Sequence, residues 1–489
     1  MNEVSKIQSI QNSISRRQLL KVGAAASASL LIGPATMAGT LSANEKIRFD
    51  SYDVAVIGSG SGGLSAAIAA SRNGAKVLLI DGNGYLGGLM ASGSPLLGFL
   101  DCYGRPVVGG FATEFVDRLT KIGASRGVRK CPHHYSLVIV KPDFVKIVAS
   151  DLCEENGIDV LLHSYLTAAE TENGKITRAI FSCAGNSIEV IAKIFIDGTG
   201  DATLAYLSGA AYQKGNEKGE MQPPTIYYTL GGVNKEKFFS YCEKNDELDT
   251  YTMEYLRESP TWAFVTLSKL FEKLHPKGEW PIDVWKFICI NSLNDGQVVV
   301  NGPRMINTDA TDPRDLTKAE RKGARQAVAF TEMLRKYVGG FENAYISHIN
   351  HTLGIRETRR IVGKKMLLLN QASAGSVPED TIALAAYPID IHSSKDFTSK
   401  FYKIDKPYGI PYLCLVSETI DNLMMTGRCI SVDPYVFGST RVMGTCLPVG
   451  EAAGVGAALA IRDQCSPDAV DVAAIRKILA KNGAILSMK

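Results

Sequence analysis

Tyr52-Asp53-Val54-Ala55-Val56-Ile57-Gly58-Ser59-Gly60-Ser61-Gly62-Gly63 is the stretch from which the fold of this chain is read. A short apolar run ending in glycine has the pattern of a strand buried in a parallel sheet. G-x-G-x-x-G falls at Gly58, Gly60 and Gly63. Leu64 to Ser71 follows with an alanine-rich helical pattern, and Lys76-Val77-Leu78-Leu79-Ile80 is a second strand ending in Asp81. Strand, glycine turn, helix, strand and acid stand in the order of a dinucleotide-binding unit. Gly58 permits the tight turn, Gly60 lets the backbone approach a pyrophosphate, and Gly63 lets the helix pack closely on the strand. Ser59 sits in the same loop as a further contact. The helix N-terminus presents free N–H groups and the positive end of its dipole to phosphate. Asp81 is suited to accept from ribose hydroxyls, and an acid there disfavours the 2′-phosphate of NADP.

Beyond Asp81 comes Gly82-Asn83-Gly84-Tyr85-Leu86-Gly87-Gly88-Leu89-Met90, with a glycine pair soon after the second strand. Residues 143–156 look helical and 158–162 look like a parallel strand. Residues 166–196, opening at Leu166, read as β-rich with a turn at Glu172-Asn173-Gly174. They end in Ile194-Phe195-Ile196-Asp197-Gly198-Thr199-Gly200-Asp201, an apolar strand running into D-G-T-G-D. Near the C-terminus, Asn422 to Ser431 is a strand entering a turn at Gly427-Arg428. Gly438 to Pro448 follows and includes Arg441, Gly444 and Thr445. Gly450 to Ile461 reads as a small-residue helix with Pro448 in its first turn.

Together these blocks resemble the FAD-dependent oxidoreductases related to the glutathione-reductase-like flavoproteins. The resemblance rests on Gly58–Gly63 with Leu86–Met90, on Asp197–Asp201, on Gly354–Arg360 with Tyr387–His392, and on Gly427–Ser431 with Arg441–Gly456. It spans nearly all of residues 52–462. It implies an α/β fold, a Rossmann-like FAD-binding domain of parallel sheet, helices and a small β-meander, with an inserted α+β substrate domain. The FAD-binding domain is expected in three pieces, 44–100, 151–210 and 405–489, with the substrate domain at 101–150 and 211–404. It implies non-covalent FAD and redox chemistry at flavin N5. The cofactor set implied is Gly58, Ser59, Gly60, Gly63, Asp81, Gly82, Gly87, Gly88, Leu89, Met90, Leu166, Gly200, Asp201, Gly427, Arg428, Gly444 and Thr445. One residue departs from the pattern: many relatives carry Gly-Asp where this chain has Gly427-Arg428.

Hydride transfer needs a substrate held at the ring and often a proton donor or acceptor. The catalytic candidates are Arg356, His392 and Arg441, with His348 and His351 behind them. Arg356 and Arg360, four apart, would share one face of a helix, while Glu357 and Arg360 would equally form a structural ion pair. Cys131-Pro132-His133-His134 is taken as a loop, because adjacent histidines do not easily share one metal. Residues 224–232 are expected as a strand, and 262–273 and 315–337 as helices.

Residues 1–43 carry the whole formal net charge of +3. Ser15-Arg16-Arg17-Gln18-Leu19-Leu20-Lys21, a weakly apolar run and small residues at Ala38 and Ala43 read as a twin-arginine export signal to the periplasm, with an ordinary secretory signal or an anchor as alternatives. The remaining chain is neutral, which disfavours nucleic acid as a partner. No apolar run there is long enough to span a membrane. The 10 cysteines form no C-x-x-C, haem-attachment or zinc spacing, so no metal ligand is expected. Electrons then pass to or from a separate carrier, a quinone or oxygen. The expected reaction is hydride transfer between flavin N5 and a small organic substrate. The alternative is a fumarate-reductase-like reductase of an unsaturated acid. A pyridine-nucleotide disulfide reductase is disfavoured by the missing C-x-x-C and the lack of a second G-x-G-x-x-G.

Overall fold

Val54–Ile57, the buried end of β1 (Ile47–Ile57), lies inside a seven-stranded sheet in the computed structural model, which describes residues 47–396 and 398–488. The export-signal reading lies outside the described residues. β1 pairs in parallel with β2 (Val77–Ile80). A hairpin follows, β3 (Arg129–Cys131) with β4 (Tyr135–Leu137). β5 (Asp159–Leu161) pairs in parallel with β2. β6 (Tyr165–Glu172), β7 (Lys175–Cys183) and β8 (Asn186–Asp197) form an antiparallel meander, and β8 returns parallel to β1. The sheet order is β5-β2-β1-β8-β7-β6.

β9 (Tyr212–Lys214) leads into a second sheet. Its strands are β10 (Thr225–Gly231), β11 (Ala263–Thr266), β12 (Phe287–Asn291), β13 (Val298–Arg304) and β14 (Tyr345–Ile349), antiparallel in the order β11-β12-β13-β10-β14. The strand expected over 224–232 is β10. The helix expected over 262–273 is instead β11 followed by a helix at Ser268–Leu274. Short apolar runs carry no decisive period, and here cross-strand pairing with β12 settles Ala263–Thr266 as a strand.

β15 (Arg359–Ile361) pairs with β9. β16 (Thr381–Ala385) pairs with β19 (Tyr408–Pro411), and β17 (Ile389–His392) pairs with β18 (Ser399–Tyr402). β20 (Leu423–Met425) pairs in parallel with the end of β8. Arg356 and Arg360 do not share a helix. Arg360 lies in β15 and Arg356 in the loop before it.

Two large apolar cores and two small clusters occupy the described chain. One joins the first sheet, α1 (Ser61–Arg72), α2 (Phe111–Lys121), α3 (Pro142–Glu155) and the segments from Ile361 onward. The other lies between Tyr228 and Ala344 and includes α4 (Pro313–Tyr337). α4 covers the 315–337 expectation.

α5 runs from Met443 to Asp463, so it begins before the expected Gly450 and holds Pro448 inside it. It is the one helix among the described residues long and apolar enough to cross a membrane, and it is a core helix, buried from Met443 to Ala460. Its packing on α1 explains its composition. A Cβ on Gly450 would stand 2.1 Å from the Gly62 carbonyl oxygen, and one on Gly454 would stand 2.1 Å from that of Ala66. The two backbones touch at successive turns, and only glycine on α5 fits. Gly454→Ala is therefore expected to cost about 1–3 kcal/mol of stability through overpacking, read as a lower urea midpoint at unchanged slope.

Candidate active site

The close approach of α1 and α5 brings both helix N-termini to one cavity of about 1110 Å³. Gly60, Ser61 and Gly62 line it from α1, and Val442 and Met443 from α5. Neither helix has a side-chain N-cap bond or an acid in its first turn. Both therefore present uncompensated N–H groups and positive dipole to the same space. A Cβ on Gly60 would meet nothing within 4 Å, so the cavity reaches that backbone directly. Gly63 does different work: a Cβ there would stand 1.8 Å from the Gly58 carbonyl oxygen.

At one end Asp81 is buried and fully engaged within the protein. Its Oδ2 accepts from the Ser59 N–H at 2.7 Å and the Ser59 hydroxyl at 2.6 Å. Its Oδ1 accepts from the Asn83 N–H and side-chain amide at 2.8 and 2.9 Å. Four donors nearly fill a carboxylate's acceptor sites, so Asp81 fixes the glycine loop as well as lining the cavity. In D-G-T-G-D the first acid, Asp197, is a buried brace accepting from Thr199 and from the Ala205 N–H. The second, Asp201, pairs with Arg428 at 2.6 Å, and Thr358 donates to it at 2.9 Å. The arginine that replaces the usual acid after Gly427 is thus matched by an acid from the neighbouring loop.

At the other end stands a polar cluster. His392 Nε2 lies 2.9 Å from Asp390 Oδ2, and the His392 N–H donates to the Gln222 side chain at 3.0 Å. The Gln222 N–H donates to Glu357, which forms a buried ion pair with Arg360 at 2.5 Å. That ion pair is the structural reading of the Arg-rich segment, and it leaves Arg356 to the cavity. Arg356 donates to the Pro223 carbonyl at 2.9 Å. Arg441 donates to the Asp390 carbonyl oxygen at 2.9 Å. Burial opposes charge on Asp390, but His392, Arg441 and Arg356 hold its carboxyl far below the usual range. Burial, helped by Arg356 and Arg304, keeps His392 neutral with its pKa well below 6.5. His392 Nδ1 is buried with no hydrogen-bond partner in the structure.

Of the sequence candidates, Gly58, Gly60, Asp81, Gly82, Gly88, Leu89, Leu166, Gly200, Asp201, Gly427, Arg428, Arg356, His392 and Arg441 line this cavity, as do the weaker candidates His348 and His351. Ser59, Gly63, Gly87, Met90, Gly444 and Thr445 do not. Ser59 points to Asp81, Met90 is in the core, and the Gly444 N–H donates to the Leu97 carbonyl at 3.0 Å. Because α5 starts earlier than expected, its first turn packs Gly444 against residues 97–99, and Val442, Met443 and Cys446 face the cavity instead.

Lys286 and Phe401, which the sequence did not mark, His133 and His134, taken there as a loop, and Tyr387, given no role there, are all on the cavity wall. His133 stacks on Phe401 at 4.9 Å, and His134 lies parallel to Tyr387 at 6.2 Å. Burial lowers His133 to about 4 and His134 to about 3, so both are neutral at pH 7. The turn between β3 and β4 carries them, and no local spacing marks them. Lys286 is buried beside β12, and burial lowers it to about 8.

FAD fits this site. Two bare helix N-termini and an open backbone approach at Gly60 suit a long polar dinucleotide. Residues 53–479 match the model of the FAD dependent oxidoreductase family, and the chain belongs to that family. It is an oxidoreductase and its cofactor is FAD. No curated protein matches the sequence. Among solved structures, a geranylgeranyl bacteriochlorophyll reductase-like protein from Thermoplasma acidophilum is 15% identical, with 89% of this chain and 84% of that chain covered at a TM-score of 0.45. A flavin-dependent brominase is 14% identical over 88% and 83% at 0.44. A flavoprotein/dehydrogenase from Cytophaga hutchinsonii is 13% identical over 88% and 85% at 0.42. None of these activities is carried over to this chain.

Two outcomes follow from this geometry. Gly60→Ala should leave apoprotein stability within about 1 kcal/mol yet sharply reduce retained FAD, since its methyl enters only the cavity. Lys286 has a folded pKa near 8 against 10.5 when free. The unfolded chain binds more protons between those values, so stability rises with pH across that window. Lys286→Met apoprotein should be the more stable at pH 7, by on the order of 3 kcal/mol. The gap should close as pH passes from 8 to 10.5 in denaturant titrations.

Proposed function

We propose that this chain is an exported FAD-dependent oxidoreductase that oxidises a small organic substrate and passes the electrons to a separate carrier or quinone. Gly58, Gly60 and the α1 N-terminus would hold the pyrophosphate. The segment at Asp81–Asn83 would hold the adenosine ribose, and Asp201, Gly427 and Arg428 the ribityl chain, with the α5 N-terminus at the flavin. Bound FAD supplies a two-electron acceptor or donor. The observation that carries the direction is the Asp390–His392 pair, with His392 Nδ1 free at the cavity end. Asp390 orients the imidazole through Nε2, and burial keeps it neutral. A neutral, oriented imidazole accepts a proton at Nδ1. That is the task a substrate hydroxyl or amine sets when its C–H is oxidised. The reductase reading needs the reverse, a proton held on His392 at rest, which burial opposes. Export rests on the sequence of residues 1–43.

The test is anaerobic flavin reduction by alcohols, hydroxy acids and amines. His392→Asn should keep the flavin band and slow reduction by about 10²–10⁴-fold. Equal rates in the variant, or oxidation of chemically reduced enzyme by unsaturated acids alone, contradict the proposal.

A further inference from the structure

Four cationic side chains gather around one carboxylate at the His392 end. Lys286, Arg304, Arg356 and Arg441 all act electrostatically on Asp390 or on its partner His392. They come from separate places in the chain: Lys286 just before β12, Arg304 at the end of β13, Arg356 before β15, and Arg441 ahead of α5. Asp390 lies in β17, so five segments converge here.

Protein acceptors meet only part of this donor capacity: Arg356 donates to the Pro223 carbonyl and Arg441 to the Asp390 carbonyl, each at 2.9 Å. Asp390 is shared between His392 at 2.9 Å and Arg441 at 3.7 Å. Glu357, the next carboxylate, is committed to Arg360 and to the Gln222 N–H. Of the other acids on the cavity wall, Asp81 is filled by Ser59 and Asn83, Asp201 is paired with Arg428, and Asp143 is paired with Lys146. Arg441 has a side-chain exposure of 7% and its Nη1 has no partner. Arg304 is 2% exposed and its Nη1 has none either. Lys286 donates to the Ser399 hydroxyl at 3.4 Å and lies 5.2 Å from the Trp285 ring centroid, with no carboxylate paired to it among the described residues. Buried charge without a partner is costly, and like charges brought together add to that cost. A ligand of opposite sign removes both.

We infer that this end of the cavity binds the carboxylate of a small organic acid, held by Arg356, Arg441 and Lys286 beside the Asp390–His392 pair. The inference rests on the reading of this cavity as the redox site and narrows its substrate to an acid. A guanidinium fork matches a carboxylate in a plane, and the lysine adds a point charge. With the anion fixed there, the carbon next to the carboxylate, or the one beyond it, comes nearest to His392 Nδ1. Arg304 stands behind the cluster and raises the positive potential. The stacked His133–Phe401 pair closes the wall alongside with apolar surface.

The test uses oxidised holoenzyme, with binding read as a shift of the flavin absorbance band and as heat. Acetate, oxalate and lactate are compared with acetamide, oxamide and propanediol. The acids should bind at least about tenfold more tightly than their neutral counterparts, which corresponds to about 1.4 kcal/mol. Lys286→Met and Arg356→Met should each lose most of that preference while retaining FAD. The ligand comparison in unmodified enzyme stands even if a variant fails to fold. Three results overturn the inference. One is equal binding of acids and neutral counterparts. Another is reduction of the flavin by a neutral alcohol while no acid binds. The third is variants that lose FAD or shift its potential with anion binding intact, which assigns the cluster to the cofactor. A flavin that no compound reduces, in a protein that still selects acids, supports the anion site and defeats only the proposal that the substrate is oxidised.

Discussion

The contact between Gly450 and Gly454 of α5 and the carbonyls of α1 sets how two helix N-termini meet at the cavity. With a side chain at either glycine, the helices would separate and their N-termini would no longer open on one space. The same contact fixes the loops around it. A Cβ on Gly62 would collide with the Gly427 backbone, and one on Gly58 with Gly198. Three loops distant in sequence are thereby held at backbone-to-backbone distance, and their glycines are structural demands before they are ligand contacts. Gly60 alone of the fingerprint has open space above it. In this chain, close packing and ligand approach are thus assigned to different glycines of one motif.

The far end of the cavity follows another rule. There the protein holds buried cations with fewer carboxylates than positive charges, an arrangement that costs stability and that packing alone would not retain. Asp390 is the acid that most offsets them, with Glu357 also acting on Arg441, and Asp390 also orients His392. A chain of buried hydrogen bonds from Arg360 through Glu357 and Gln222 to the His392 backbone fixes that imidazole from the opposite side. The arginine-rich segment therefore has two roles, Arg360 in the scaffold and Arg356 in the site.

The nucleotide half was legible in the sequence because its physics is local. A strand, a glycine turn and a helix start are neighbours in the chain, so Gly58, Gly60 and Asp81 could be assigned their places from spacing. The far end of the cavity was legible mainly at His392, Arg356 and Arg441, which line it. Lys286, Arg304, His133 and His134 come from a strand end, a second sheet and a hairpin turn, and nothing in their neighbours announces that they meet. The start of α5 was misjudged because Pro448 looked like a first-turn residue, whereas the close-packed helix continues through it. Ala263–Thr266 was misjudged because four apolar residues fit either period until a partner strand is known. Both errors arise where tertiary contact overrides local preference.

The most direct measurement is a crystal structure of the FAD-loaded protein. The account requires the adenosine end at Asp81 and the isoalloxazine ring at the other end of the cavity, with His392 Nδ1 facing it across the width of one small substrate. A ring turned to the Asp81 end, or one separated from His392 by intervening protein, would contradict it.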